Sequence, residues 1–477
     1  MKKWDRKPRI LLVTDSSAIH TGFACVGRHI GMALYNSNNY NLKTIGWFHR
    51  PTDEVVPFEI IATNQQDRER IEIDKYANDT FPRVYDEFKP DLVFAIGDSW
   101  MVDNIAKHTD MMKKNGDDVK LVLYVPIDGE PIPTKWVDIF RLPDAMVAYG
   151  EWGKSVMLKR DKNLKIQSIP HGVDSDIFKP VESEFKDQLK AAFADPNAFL
   201  IGCVARNQPR KYLPRLFKAF RYFINPYTIC KQCDMLYLES VKKCSCGSED
   251  LFQGPEKKDA RMYLHMALQD CGWDIQELVS RFNLKGMVAY PKGLKVGLGV
   301  PIQKLAEITA SFDVFSLPTS GEGFGLPILE AMSCGIPTVV TDYSAHTEFC
   351  QGAADLIRVS EYITEPLTNI ERGLVDLKDY CMRLDRLYYD DRATFLKKWG
   401  KYMQVEYGVT EEALQEVPTG KELREKMSKA SRERALEYDW DKVVIPQWID
   451  LFNKTIEYDP NNTEFKEETT QIRVEEV

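Results

Sequence analysis

The sequence predicts an α/β protein built as two successive doubly wound halves. Three observations lead there. The chain has 477 residues, too many for one ordinary core. Short apolar runs alternate with helical patterns through its first third. The same alternation then restarts beyond residue 175. Strands alternating with helices imply a parallel sheet covered on both faces.

In the first half, residues 9–13, 91–96, 120–125 and 145–149 read as buried strands. Ile30, Ala33 and Leu34 give a helical stripe after the first, and helices fit residues 79–88 and 101–114. In the second half, residues 199–204 read as a strand and 213–223 as a helix. Further strands fit 261–266, 286–289, 313–317 and 338–341. Residues 361–453 read mainly as helix, with 394–429 as a charged, surface-like elaboration. The acidic, polar stretch 459–477 reads as a disordered tail. The expected organisation is a first domain over 1–172, a second over 173–440 with an insertion at 225–258, a helix at 441–458 returning to the first domain, and the tail. A second interruption, 291–301, carries Gly293, Gly297 and Gly299 and reads as a mobile loop.

Composition is that of a soluble globular chain, with 44% hydrophobic and 28% charged residues. No apolar run reaches the roughly 18–20 residues that span a bilayer, and Ile10-Leu-Leu-Val13 is too short for a signal-peptide core. The expected location is the cytoplasm, with peripheral membrane association left open. A net charge of −9 argues against general nucleic-acid binding but permits local basic pockets for a diphosphate.

Residues 315–318 end a buried strand, and Gly321, Gly323 and Gly325 follow it. The glycines are expected to adopt conformations closed to other residues and to let a ligand approach the main chain. Pro327 suits a first helical turn; Gly335 and Pro337 stop the helix. Strand, glycine loop and helix start together aim free N–H groups and a positive dipole end at an anion. Glu322 in the loop and Glu330, expected in the first helical turn, can accept hydrogen bonds from hydroxyls on two parts of one ligand. Taken singly, Glu330 reads equally well as a residue that merely complements the helix dipole.

The full string Glu322-Gly-Phe-Gly-Leu-Pro-Ile-Leu-Glu330, with Ala331, Met332, Gly335, Pro337 and Glu348, resembles the glutamate–seven–glutamate motif of the retaining GT-B glycosyltransferases of the group-1, family-4 type. The resemblance extends over roughly residues 9–450, outside the insertions. It implies two Rossmann-like domains facing across a cleft, a nucleotide-diphosphate-sugar donor, transfer to an acceptor hydroxyl with retention, and no catalytic metal. Arg206 and Lys211 match the family's diphosphate-clamping cations, with Arg210 a nearby substitute. Glu322 would hold sugar hydroxyls and Glu330 the ribose. Gly323, Phe324, Gly325 and Leu326 would line the donor. Residues 14–24 are similar to the family's N-terminal glycine loop, although only Gly22 stands where two glycines are common. Asp128, after the strand at 120–125, takes the place of the family's histidine or aspartate near the reacting sugar; in isolation it reads as a turn aspartate.

His171 falls in a segment similar to the family's interdomain crossing and reads as a hinge residue. Asp174 and Asp176 there follow a Pro-His-Gly turn rather than ending a buried strand, which argues against a metal-binding Asp-x-Asp. Neither strand–helix junction carries the Gly-x-Gly-x-x-Gly of a dinucleotide dehydrogenase. The competing readings are a GT-B phosphorylase or epimerase, and a non-catalytic nucleotide-sugar sensor. The acceptor, the sugar, the base and the oligomeric state have no readable pattern.

Cys230, Cys233, Cys244 and Cys246 fall within seventeen of the chain's positions, two pairs around a hairpin-sized spacer. They resemble a zinc ribbon, so a structural Zn²⁺ is expected. The second pair is separated by one residue rather than the usual two. An iron–sulfur site, a redox pair or unligated thiols are the alternatives.

Overall fold

The computed structural model describes residues 4–49, 55–63 and 74–460. All of the expected acidic tail except Asp459 and Pro460 therefore lies outside the described residues. The first half carries β1 (Arg9–Asp15), β2 (Asn41–Trp47), β3 (Ile60–Ala62), β4 (Leu92–Ile96), β5 (Lys120–Val125), β6 (Ala145–Ala148) and β7 (Ile166–Ser168). They form one parallel sheet in the order β3-β2-β1-β4-β5-β6-β7. β1, β4, β5 and β6 are the apolar runs foreseen from sequence. β2, β3 and β7 were not foreseen: β3 and β7 lie at the sheet's edges and are only part-buried, and β2 starts on an exposed asparagine.

The second half repeats this winding. β8 (Phe199–Val204), β12 (Ala260–His265), β13 (Val288–Ala289), β14 (Val314–Leu317), β15 (Thr338–Thr341) and β16 (Asp355–Ile357) pair in parallel as β13-β12-β8-β14-β15-β16. In each sheet the order reverses beside the first strand, and that switch point is where doubly wound folds open a crevice at the carboxyl ends. β8 is buried from its second residue, and Gly202 within it has no room for a side chain: a Cβ there would lie 2.1 Å from the Phe312 ring.

The insertion holds β9 (Thr228–Cys230), β10 (Leu236–Tyr237) and β11 (Leu251–Gln253), an antiparallel sheet with β9 central. Three strands this short cannot bury a core of their own. Its ends are pinned instead. Gly254 N–H donates to the Tyr227 carbonyl (2.8 Å) and Lys257 N–H to that of Ile224 (2.9 Å). Asp385, on helix Leu377–Tyr388, is fully buried between Lys257 Nζ (3.0 Å) and Lys398 Nζ (2.7 Å), and it accepts from Trp399 Nε1 (2.7 Å). Lys398 also stands 4.5 Å over the Tyr227 ring and Lys257 4.5 Å over Phe223. Helix Arg392–Tyr407 therefore buries Phe395, Lys398 and Trp399, which corrects the reading of 394–429 as a surface elaboration. That face is charged because it encloses an ion pair.

The reading of 361–453 as mainly helical is corrected at its start. β17 (Val359–Thr364) and β18 (Glu371–Val375) form an antiparallel hairpin, and helices follow only from Leu377. The β-branched residues Val359, Ile363 and Thr364 favour strand here. The hairpin stands apart from the six-stranded sheet and reaches the first half, where Glu371 N–H donates to the Glu130 carbonyl (3.0 Å).

The chain crosses between the halves twice, side by side. Val173 N–H donates to the Tyr438 carbonyl (2.8 Å), and Trp440 N–H to that of Val173 (3.2 Å). Ser175 Oγ donates to the Asp439 carboxylate. Helix Ile445–Ile456 then packs on the first sheet, with Trp448 against Phe94 and Tyr124 and Asn453 Oδ1 accepting from Tyr40 Oη (2.6 Å). Among the described residues no helix is long and apolar enough to cross a membrane.

Removing one partner of a fully buried charge cluster costs about 3–5 kcal/mol, because the remaining charges stay buried. Asp385→Asn should lower unfolding stability by that order in chemical denaturation and loosen the insertion, read as faster proteolysis within 227–257.

Candidate functional site

The carboxyl ends of the two sheets face each other, and the residues between them come from the loops after β1, β4 and β5 and after β8 and β14. Gly325 adopts φ 107 and caps helix Leu326–Ser333, with Pro327 in its first turn. Among the described residues the Gly325 and Leu326 N–H groups make no hydrogen bond. They are the free donors at the helix start that the loop was expected to supply.

The other two glycines have a different role from the one expected. Gly321 and Gly323 do not take up a left-handed conformation. A Cβ on Gly321 would lie 2.0 Å from the Asp128 carbonyl oxygen, and one on Gly323 2.6 Å from Pro126 Cβ. They make room for the first domain. Phe324 is likewise buried between His171 (ring centroids 4.8 Å) and Phe349 (5.1 Å), so its side chain belongs to the interdomain core. His171 is buried there too, 2.8 Å from Tyr124 Oη.

Glu322 is buried at 4% exposure. Its Oε1 lies 2.5 Å from Lys211 Nζ and its Oε2 2.9 Å from Arg210 Nη1. Burial pushes this carboxyl up, but Arg210 and Lys211 more than offset that and hold it well below the usual range. Burial and the neighbouring Arg210 bring the Lys211 ammonium down to about 8. Arg210 also approaches Asp128 (Nε to Oδ2, 3.6 Å). Arg210, read as a substitute, thus joins Lys211 on Glu322 where Arg206 was expected. Arg206 points aside, bidentate on Asp270 at 2.9 and 3.0 Å with its side chain 45% exposed.

Glu330 stands just past the first turn, the fifth residue of its helix rather than in the turn itself. It is half-buried, and its carboxyl has no hydrogen-bond partner among the described residues; burial pushes it up to about 7. Opposite, Gly22 opens helix Gly22–Ser37, and a Cβ on it would meet only Leu326 Cδ1 at 4.0 Å. Thr21 Oγ1 accepts from Ala24 N–H and donates to Asp15 Oδ2 (2.5 Å). Glu348, on the second domain, accepts from Glu151 N–H (3.0 Å) and Trp152 N–H, capping helix Glu151–Arg160 across the cleft.

Asp98 and Arg372 were missed from sequence. Asp98 follows β4 as Asp128 follows β5; burial first, then nearby Asp128, raises it to about 6. Asp15, the last residue of β1, is raised to about 6 by burial as well. Position at or just past the end of a buried strand was the available signal for both. Arg372 lies in the hairpin and gave none.

The four cysteine sulfurs gather in the insertion. Cys230 and Cys246 Sγ are 3.6 Å apart and Cys233 and Cys244 Sγ 3.5 Å, with all four within 4.8 Å of one another. Two tight turns present them: Asp234 N–H donates to the Cys230 carbonyl and Gly247 N–H to that of Cys244. Gly247, at φ 93, lets the shorter pair converge despite its single intervening residue. A tetrahedral ion at about 2.3 Å from four thiolates sets sulfurs roughly 3.8 Å apart, so the cluster fits a metal.

Residues 287–367 match the family model described as glycosyl transferases group 1. The O-antigen chain mannosyltransferase B of Escherichia coli is 32% identical over 126 residues, 23% of this chain and 31% of the relative. A probable sucrose-phosphate synthase 1 of Craterostigma plantagineum is 28% identical over 184 residues, 36% of this chain and 15% of the relative. The chain thus spans under a third of the length of both. Two solved structures match nearly end to end. The sucrose-phosphate synthase of Thermosynechococcus elongatus aligns with TM-score 0.63 at 15% identity, over 94% of this chain and 98% of the other. Anabaena HepE in complex with UDP-glucose aligns with TM-score 0.58 at 14% identity, over 94% and 99%. Two parallel doubly wound sheets facing across a cleft, with these likenesses, give the chain the GT-B fold.

Proposed function

We propose that this chain is a retaining glycosyltransferase that moves a sugar from a nucleoside diphosphate to an acceptor hydroxyl. The observation that carries the reading is the pairing of Glu322 with Lys211 and Arg210, eight residues before an unpartnered Glu330 at a helix start with free N–H groups. The group-1 family match over 287–367 and the UDP-bound neighbour of the same fold support it. The shared cations suit a leaving diphosphate, which is the chief electrostatic demand of the reaction.

In this reading the diphosphate takes Lys211, Arg206 or Arg210 and the Gly325–Leu326 N–H groups. Glu322, released from part of its ion pairing, accepts hydrogen bonds from the sugar hydroxyls, and Glu330 accepts from the ribose. The bond between the anomeric carbon and the β-phosphate oxygen breaks as the acceptor oxygen attacks from the same face. The departing phosphate oxygen takes the acceptor proton, and Asp128 stands beside the developing cationic centre. No metal enters these steps. The four cysteines would hold a structural Zn²⁺, which supplies tetrahedral thiolate bonds in place of an apolar core.

Four measurements test this. Glu322→Ala and Lys211→Ala should each abolish release of free nucleoside diphosphate from a nucleotide-sugar panel while the circular-dichroism melt stays cooperative; normal turnover in both sinks the assignment, and product identification separates transfer from epimerisation or phosphorolysis. Glu330→Gln should weaken UDP binding roughly 10–100-fold through loss of a charged hydrogen bond. Its stability effect has a defined sign. The native carboxyl, raised to about 7, keeps a proton that the unfolded chain releases near 4.5, so its contribution falls as pH rises between those values. Glu330→Gln should therefore stabilise the chain at pH 8 by about 1–3 kcal/mol and leave it unchanged at pH 4. Metal analysis of chelator-free protein should find one zinc per chain, lost in Cys233→Ser.

A further inference from the structure

Arg372 stands out among the charges of the cleft because the doubly wound pattern does not need it. It comes from β18, in the hairpin that stands apart from the six-stranded sheet and meets the first domain. Its side chain is only 7% exposed. Nη1 donates to the Asp128 carbonyl (2.7 Å) and lies 2.9 Å from Asp128 Oδ1. Nη2 is tied to Glu365 Oε2 (2.9 Å), on the turn of the same hairpin. A planar guanidinium used at both ends is held in one orientation, and it fixes what it binds.

Asp128 shows the matching dependence. Among the described residues its carboxylate is contacted by Arg372 and by Arg210 at 3.6 Å, both on the second domain. Among the described residues no hydrogen bond or ion pair from its own domain reaches that carboxylate. The loop that carries it is clamped from the same side. Gly129 has no room for a side chain, since a Cβ would lie 2.3 Å from Ile370 Cγ2 and 2.8 Å from the Glu371 carbonyl. Tyr343 Oη donates to that carbonyl (2.8 Å) and accepts from Glu130 N–H (3.3 Å).

We propose that Arg372 is a positioning residue, which sets the Asp128 carboxylate against the donor sugar only when the two domains close. The proposal rests on the transferase reading for its consequence in turnover, but not for its structural part. Closure then assembles the group beside the reacting carbon from a carboxylate on one domain and a cation on the other. An open enzyme would bind the nucleotide without being ready to react.

The test compares Arg372→Gln, Asp128→Asn and the double variant in the full chain. Turnover is followed on whichever nucleotide sugar of a UDP, GDP and ADP panel the native chain consumes, and nucleoside-diphosphate affinity by calorimetry. Residues that act as one unit are strongly non-additive. Each single variant should lose about 30-fold or more in turnover, and the double variant should fall no further than the worse single. Diphosphate affinity should stay within about twofold throughout, since neither residue is assigned to the phosphates. Losses that multiply, or affinity that falls with turnover, overturn the proposal. Arg372→Lys, which keeps the charge and stem, should recover part of the loss and serves if Arg372→Gln does not fold. Hydrogen exchange gives a readout independent of chemistry: amides 128–130 should exchange faster in Arg372→Gln, and unchanged protection there overturns the proposal. A native chain that consumes no nucleotide sugar sinks the transferase reading, while the exchange arm still decides the role of Arg372.

Discussion

A carboxylate at 4% exposure, as in Glu322, persists in its charged form only because two cations meet it. Stripped of them, its burial would cost several kcal/mol. That constraint organises the whole cleft. Lys211 and Arg210 must come from the turn after β8, which therefore lies against the loop after β14. Arg210 then reaches Asp128, so the pairing that keeps Glu322 ionised also draws in the first domain. The glycines at 321 and 323 follow from the same demand, because a side chain at either would push the domains apart. In the proposed reading these same ion pairs are what a diphosphate and sugar hydroxyls would take over.

The Cys insertion obeys the opposite logic. Among the described residues no hydrogen bond or ion pair joins it to Glu322 or Glu330. Its foot is held by the Asp385 knot, and at its tip four sulfurs lie close enough to share one ion. The knot stands in for an apolar core that so few residues cannot form. The knot carries two lysines to one aspartate, and the surrounding Tyr227, Phe223 and Trp399 rings offset part of the surplus charge.

Much of this was legible because it is local. Continuous apolar runs marked β1, β4, β5 and β8, and the spacing of Glu322 and Glu330 around three glycines marked the helix start. The four cysteines were visible by proximity alone. What failed was non-local. β3 and β7 are edge strands with half-buried residues, so their pattern is weak. The hairpin at β17 and β18 was lost in a polar stretch whose partner, Glu130, lies more than two hundred positions away. Arg372 went unseen with it. The glycines were rightly singled out, but whether a glycine admits a ligand or a neighbouring domain depends on what stands opposite, and sequence does not display that.

The paired crossings at Val173 and Trp440 have a mechanical consequence. Two covalent connections lying side by side, and hydrogen-bonded to each other, tie the halves along one line and oppose sliding of one half past the other. His171 and Phe324 pack beside that line. The contacts of Arg372 with Asp128 and of Glu348 with the helix at Glu151 join the halves elsewhere. The relative placement of the two domains is thus fixed at a seam of backbone and at separate side-chain clasps, so a change at one clasp leaves the seam in place.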